Sequence, residues 1–140
     1  MALLKDAIAE IIDELQTISG IRYAPDALVE SAHDQFPFAV VYPLTGAFVG
    51  GPATLMKGLH GINIELHVAR KDVPRDFSTV MDLIDEIPWQ LMKLRNDGKL
   101  THMATFGAIT YTFGSLAWAG VETLGVTYTI NDTKIEREIT

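Results

Sequence analysis

Alternating apolar and polar residues between Gly61 and Ala69 predict a β-strand. A period of two sends alternate side chains to opposite faces of a sheet. The row expected to face a core is Ile62, Ile64, Leu66 and Val68, and the row expected to face water is Asn63, Glu65, His67 and Ala69.

A helical period follows this strand within a few residues. Its apolar positions recur at steps of three and four, so they share one stripe that can cover the strand. Burying these side chains at roughly 1.5 to 3 kcal/mol each outweighs the roughly 3 kcal/mol that Pro88 costs inside a helix. We therefore expect one kinked helix whose buried stripe is Phe77, Val80, Ile84, Ile87, Leu91 and Leu94.

The remaining elements are predicted by the same patterns. A first helix is expected from Ala2 to Ser19, ended by Gly20, which can adopt the left-handed conformation that closes a helix. Residues 25–29 are either a short helical turn or a loop, and residues 131–140 are a strand extension or an arm. Further strands are expected at Phe36 to Tyr42, Thr105 to Phe113 and Leu124 to Ile130, with residues 114–123 connecting the last two.

The resulting element order is α-β-β-α-β-β within a single domain, residues 1–140. The predicted fold class is α+β, with an antiparallel or mixed four-stranded sheet and two helices packed on one of its faces.

The segment from Leu44 to Gly58 is predicted to be a long, glycine-rich loop that contains several apolar residues: Phe48, Val49, Leu55 and Met56. Loops longer than about 12 residues without their own structure are usually functional or disordered. Two interpretations stay open: a flap folded onto its own core, or a partner-binding loop that orders on assembly.

Composition narrows the classes of function. The chain is 48% hydrophobic with a formal charge of -7 and has no cysteine. The absence of cysteine excludes disulfides, thiolate nucleophiles and thiolate metal sites, and the acidic balance argues against free nucleic acid as a ligand. No apolar run reaches the roughly 18 residues of a membrane span, and no secretory leader is evident, so we expect a cytosolic compartment.

Candidate catalytic and metal-binding residues are present but lack the usual spacing. The four histidines do not have zinc-motif spacing, and His67 with Glu65 is expected to be an ordinary solvated pair. Asp82, Asp85 and Glu86 could share a helix face as acid and base, although solvated charge is the simpler interpretation. The residues concerned include His33, His60, His67 and His102.

Other local motifs are equally unspecific. The run from Gly50 to Thr54 lacks the ending of a phosphate loop, and the serines lack a nucleophile-elbow context. Trp89 and Trp118 are interpreted as core or interface anchors. No catalytic, cofactor-binding or metal-binding residue is predicted, and the serines examined are Ser31, Ser78 and Ser115.

Two stretches resemble the tail terminator (tail completion) proteins of long-tailed bacteriophages. They are GINIELHVARK leading into DFSTVMDLIDEIPWQLMKL, and TFGAITYTFGSLAWAGVETLGVTYTI with a glycine just before its final strand. The resemblance covers nearly the whole chain in element order and implies no enzymatic activity. The residues assigned to interaction are Phe48, Val49, Leu55, Met56 and Trp118.

The resemblance also implies partners and a location. It implies a homohexameric ring that caps the major tail tube protein, stops tube polymerisation and joins a head-tail connector or neck protein. DNA would only pass through the lumen, no membrane would be contacted, and the protein would be assembled in the host cytoplasm into the virion tail.

Two alternatives stay open. One is a neighbouring virion role, such as head completion or a minor tail component. The other is a small α+β enzyme or ligand-binding module with a pocket beside the second helix, near Asp82 and Glu86.

Overall fold

The computed structural model describes residues 3–25, 36–50, 54–103 and 105–139. Its four strands form one antiparallel sheet in the order β1-β2-β4-β3. The predicted α+β class and the order α-β-β-α-β-β are confirmed, with two consecutive helices in the place of the second one. The elements are α1 (Leu4–Gln16), β1 (Phe38–Gly50), β2 (Leu55–Ala69), α2 (Val73–Leu83), α3 (Glu86–Asn96), β3 (Ile109–Trp118) and β4 (Val121–Glu138).

The core lies between the helices and one side of the sheet, which we call the inner face; the opposite side is the outer face. The apolar row predicted for β2 is confirmed as buried. At roughly 1.5 to 3 kcal/mol per large apolar side chain, this burial holds the helices on the sheet. Fully or almost fully buried members include Ile11, Leu15, Ile62, Ile64, Leu66, Val80, Ile87, Leu91, Val126, Tyr128 and Ile130.

Pro88 interrupts the second helical segment instead of kinking it, so the expectation of one kinked, unbroken helix is wrong. Proline lacks an amide hydrogen and its ring crowds the carbonyl four residues earlier, which belongs to Ile84. α2 ends at Leu83 and α3 begins at Glu86. The Ile84 carbonyl instead accepts a 2.7 Å hydrogen bond from the Tyr128 hydroxyl. The sheet therefore supplies the donor that the helix cannot.

A buried carboxylate fixes the connection from β2 to α2. Asp76 is 5% exposed, and its Oδ2 atom accepts hydrogen bonds from the backbone amides of Lys71 and Asp72, each at 2.9 Å. Asp72 in turn caps α2, since its side chain accepts from the amide of Arg75. These contacts satisfy amides that would otherwise lack partners at the start of the helix.

The third and fourth strands form a tighter hairpin than predicted. β3 runs to Trp118 and β4 begins at Val121, so most of the connection predicted at residues 114–123 is paired strand. The turn consists of Ala119 and Gly120, whose φ angles are 51° and 81°. Positive φ at both central residues is the geometry of a two-residue type I′ turn.

Bulges divide the sheet into two parts. Pairing shifts between Pro43 and Thr45 in β1 and between His60 and Ile62 in β2, and Asp132 in β4 has a φ of 55°. Beyond this level β3 is absent, because its first residue pairs with Ile130. The sheet continues as residues 44–50, 55–60 and 133–138, which we call the hairpin arm.

Candidate functional site

The hairpin arm occupies the segment that was predicted as a loop from Leu44 to Gly58. That prediction is wrong, because β1 extends to Gly50 and β2 begins at Leu55. Residues 55–60 also pair with residues 133–138 of β4, so the arm is supported on both sides of β2. The charged C-terminal segment is thus a strand extension, which was one of the two outcomes expected for it.

Several of the apolar side chains assigned to interaction remain exposed on the arm. Phe48 is 65% exposed and Val49 is 49% exposed, and alternation along β1 sends them to opposite faces. Leu44, at the bulge in β1, is 55% exposed, whereas Leu55 and Met56 are half-buried. Phe48 therefore does not belong to a flap folded into the core. Large apolar side chains that stay exposed are candidates for a contact surface.

A small apolar cleft lies where the arm meets the start of α1. Its volume is about 210 Å³, and the His60 ring forms part of its wall. His60 is 5% exposed and contacts Phe48 edge-on, with 5.2 Å between ring centroids. Burial lowers the pKa of His60, so the ring is neutral at pH 7. The other lining residues are Leu3, Leu4, Phe48, Met56, Gly58, Ile135 and Arg137.

A second exposed apolar surface lies at the opposite side of the sheet. Phe77 on α2 contacts Phe113 on β3, with 5.7 Å between ring centroids. Met81 lies one helical turn after Phe77, and Tyr111 lies on the same face of β3 as Phe113. These four residues, which we call the aromatic patch, are between 43% and 61% exposed. Phe77 was expected in the core, and that expectation is wrong, because α2 packs mainly on β4 and β2 and Phe77 meets only the exposed ring of Phe113 on β3.

His67 is buried on the outer face, so the prediction that its pair with Glu65 is solvated is wrong. The residue is 0% exposed, and its ring stacks on Phe38 with 4.7 Å between centroids. Trp118 covers it edge-on at 5.7 Å. The pairing with Glu65 does form, since His67 Nε2 lies 2.9 Å from Glu65 Oε1. Trp118, one of the predicted interaction residues, therefore has a contact within its own subunit.

A chain of polar contacts extends from His67 across the outer face. Glu65 accepts a hydrogen bond from the Tyr42 hydroxyl, and the Asn63 amide lies 3.4 Å from the same oxygen of Tyr42. Burial alone would raise the pKa of Glu65, but hydrogen bonds from His67 and Tyr42 together hold it below its ordinary value. Burial and the contact with Glu65 raise the pKa of Tyr42.

These polar contacts include the three groups of a nucleophilic triad, but a substrate has no access to them. His67 Nδ1 lies 2.6 Å from Thr123 Oγ1, so a hydroxyl, an imidazole and a carboxylate stand in series. Thr123 and His67 are both 0% exposed. A nucleophile must reach the reacting carbonyl, and this hydroxyl cannot. The arrangement is a satisfied polar network that supports the sheet.

The carboxylates considered for acid-base chemistry do not converge on a buried site. Asp82, Asp85 and Glu86 are all exposed. Within the described ranges, no group of three or more His, Asp or Glu side chains is placed to hold a metal ion. His33, Ser31 and most of the segment at residues 25–29 lie outside the described residues.

None of the helices in the described part of the chain is long and apolar enough to cross a membrane. No protein-family model matches this sequence, and no curated protein matches it.

Proposed function

We propose that this protein is a structural assembly protein whose copies join into a ring. The observation that carries the proposal is the presence of two different apolar surfaces at opposite edges of one sheet. The strand order places β1 with the hairpin arm at one edge and β3 with the aromatic patch at the other. A ring needs heterologous contacts, in which each subunit offers two different surfaces to its two neighbours.

The resemblance to tail terminator proteins gives this ring a specific role. The proposed assembly is a homohexamer that caps the major tail tube protein of a long-tailed phage, stops its polymerisation and presents a surface to a head-tail connector or neck protein. DNA would pass through the lumen, where a protein with a charge of -7 would repel the DNA backbone. The protein would then be located in the virion tail after assembly in the host cytoplasm.

The hairpin arm is the part proposed to contact the tube or a neighbouring subunit. Phe48 and Val49 are its most exposed apolar side chains outside the bulge, and Met56 lines the adjoining cleft. A partner side chain could bury apolar area there at roughly 25 cal/mol per Å².

Mass photometry over a range of concentrations, combined with electron microscopy, tests the proposal. We expect ring-shaped particles and binding to the ends of purified tail tubes. Only monomers at every concentration, together with no binding to tubes, would defeat it.

The Phe48→Asp variant tests the role of the arm. We expect assembly to fail while the free energy of unfolding changes by about 1 kcal/mol or less, because the side chain is mostly exposed. Asn96→Asp is the matched control, since it adds the same charge at an exposed position at the end of α3. A large drop in Tm for Phe48→Asp would instead show that this residue belongs to the core of the subunit.

A further inference from the structure

The two outer strands of the sheet contain no charged residue. β1 reads FAVVYPLTGAFVG and β3 reads ITYTFGSLAW, whereas the central strands contain the charges of the sheet. This distribution is unusual, because natural proteins usually protect exposed edge strands with lysine, other charges or very short length.

A third edge in the same chain is protected in the usual way. In the hairpin arm β3 is absent, so residues 133–138 of β4 form an edge that, within the described part of the chain, has only a single bridge, from Thr105 to Lys134. That edge contains four charged residues: Lys134, Glu136, Arg137 and Glu138. The chain thus places charges along an edge that must stay unpaired and leaves β1 and β3 without charges.

Both unprotected edges are long enough for pairing. Among the residues that the structure describes, no strand pairs with the outer edge of β3, and β1 has only the parallel bridge from Tyr23 to Phe38. Pro43 has no amide to donate, which leaves residues 44–50 as the continuous pairing segment of β1. Strands of about 5 to 6 residues are typical of stable sheets.

We propose that β3 of one copy pairs with residues 44–50 of β1 in the next copy, so that the sheet continues from subunit to subunit. This inference rests on the proposed self-assembly and names the surfaces that meet. We choose a second copy of this chain as the partner because both β1 and β3 lack charges, and pairing between copies uses both edges. A strand from a different protein would explain only one uncharged edge. Copies with a charge of -7 repel each other, and an uncharged contact is where they can approach.

Strand direction agrees with this pairing. Each neighbouring pair in the order β1-β2-β4-β3 is antiparallel, so β1 and β3 run in opposite directions. The first residue of β3 is level with Ile62 and Pro43, and residues 44–50 lie beyond that level. Rotation about an axis that is tilted from the strands offsets neighbouring copies along the strand direction, and in this way it places residues 44–50 antiparallel to β3. Antiparallel pairing is the arrangement that the sheet already uses throughout.

Disulfide mapping tests the contact directly, since the natural chain has no cysteine. Thr112 on β3 and Ala47 on the arm are both exposed and lie on the outer face, where their side chains would be neighbours in a continued sheet. Directly opposite residues have Cα atoms about 4.5 to 5.5 Å apart, which a disulfide can span. Thr110 and Thr45, two residues away along each strand, cover a shifted register.

The experiment mixes Thr112→Cys with Ala47→Cys, oxidises the assembled protein and identifies the products by mass spectrometry. We expect the mixed disulfide to exceed either homodimeric disulfide, with the Thr110→Cys and Thr45→Cys variants showing which register is used. Asn96→Cys mixed with Ala47→Cys is the control and should give no excess. Assembled rings that give a Thr112→Cys homodimer, or no mixed disulfide with any pair, overturn the inference while leaving the proposed assembly intact.

Adding a charge to the edge provides the second test. Thr112→Lys introduces the kind of charge that usually protects an edge strand. It should weaken self-association by about tenfold or more without lowering Tm. Asn96→Lys adds the same charge elsewhere and should leave self-association unchanged. Mass photometry measures the self-association of both variants. If the two variants assemble equally well, the inference is overturned. If the natural chain is monomeric at every concentration, the proposed function fails as well.

Discussion

Loss of the hydrogen bond from Tyr128 to Ile84 should lower the free energy of unfolding by a predictable amount. Tyr128→Phe removes the hydroxyl that satisfies the Ile84 carbonyl, and Tyr128 itself is 1% exposed. An unsatisfied polar group with limited access to water costs about 1 to 3 kcal/mol. Because Ile84 is only half-buried, we expect the lower part of that range, about 1 to 2 kcal/mol.

The expected change in Tm follows from the size of the chain. For 140 residues, an unfolding entropy of about 2.1 cal/mol/K per residue gives about 0.3 kcal/mol/K in total. Tyr128→Phe should therefore lower Tm by about 3 to 7 °C. Differential scanning calorimetry or thermal circular dichroism measures this shift.

A double-mutant cycle with Pro88→Ala tests the reason for the loss. Alanine restores an amide that can donate to the Ile84 carbonyl, so the hydroxyl becomes redundant. In that background Tyr128→Phe should cost about 0.5 kcal/mol or less, which corresponds to a coupling of about 1 kcal/mol. An equal loss in both backgrounds would refute the explanation, because the effect would then come from packing of the ring alone.

Three further predictions concern other contacts. Ala119→Asn should raise stability by about 0.5 to 1 kcal/mol, since alanine at positive φ is strained and asparagine before glycine favours this turn. Asp76→Asn should lower stability by about 1 to 2 kcal/mol, because two backbone amides lose a charged acceptor. Glu65→Gln should lower Tm near neutral pH, and its difference from the natural chain should shrink as pH falls below the ordinary carboxyl value of 4.5.

The sign of the Glu65 effect follows from the direction of its pKa shift. A carboxyl whose pKa is lower in the folded state stabilises the fold above its unfolded pKa, and that contribution is lost as pH falls through the folded pKa. A difference in Tm that is constant down to low pH would contradict this reasoning.

Ala117→Asn is the control for Ala119→Asn, and Asp82→Asn is the control for Asp76→Asn. Both control positions are exposed, so neither substitution should reproduce the effect of its counterpart.

The local patterns of the chain predicted its element order well and its arm poorly. The alternation of Ile62, Ile64 and Leu66 predicted their burial because a strand's faces follow from its own sequence. The arm was missed because Gly46 and Gly58 resemble loop residues. In the structure these glycines lie under the His60 ring, a contact between residues that sequence periodicity cannot show.

The errors at His67 and Phe77 have a similar cause. A polar position in a strand predicts solvent exposure only if nothing covers that face, and here Phe38 and Trp118 come from distant segments to cover His67. Phe77 has the correct helical spacing for the core, but α2 lies over β4 and leaves Phe113 exposed beside it. Which strand a helix covers depends on packing across the whole domain.

The buried ring of His60 restricts replacement of two glycines in the hairpin arm, Gly46 and Gly58. A methyl group on Gly46 would lie 2.5 Å from the imidazole Nδ1, and one on Gly58 would collide with Nε2 of the same ring. Because that ring is enclosed, it has little room to withdraw. In a library of random variants, alanine should be tolerated at Gly50 and Gly114, which have open space around them, and selected against at the two positions beneath the imidazole.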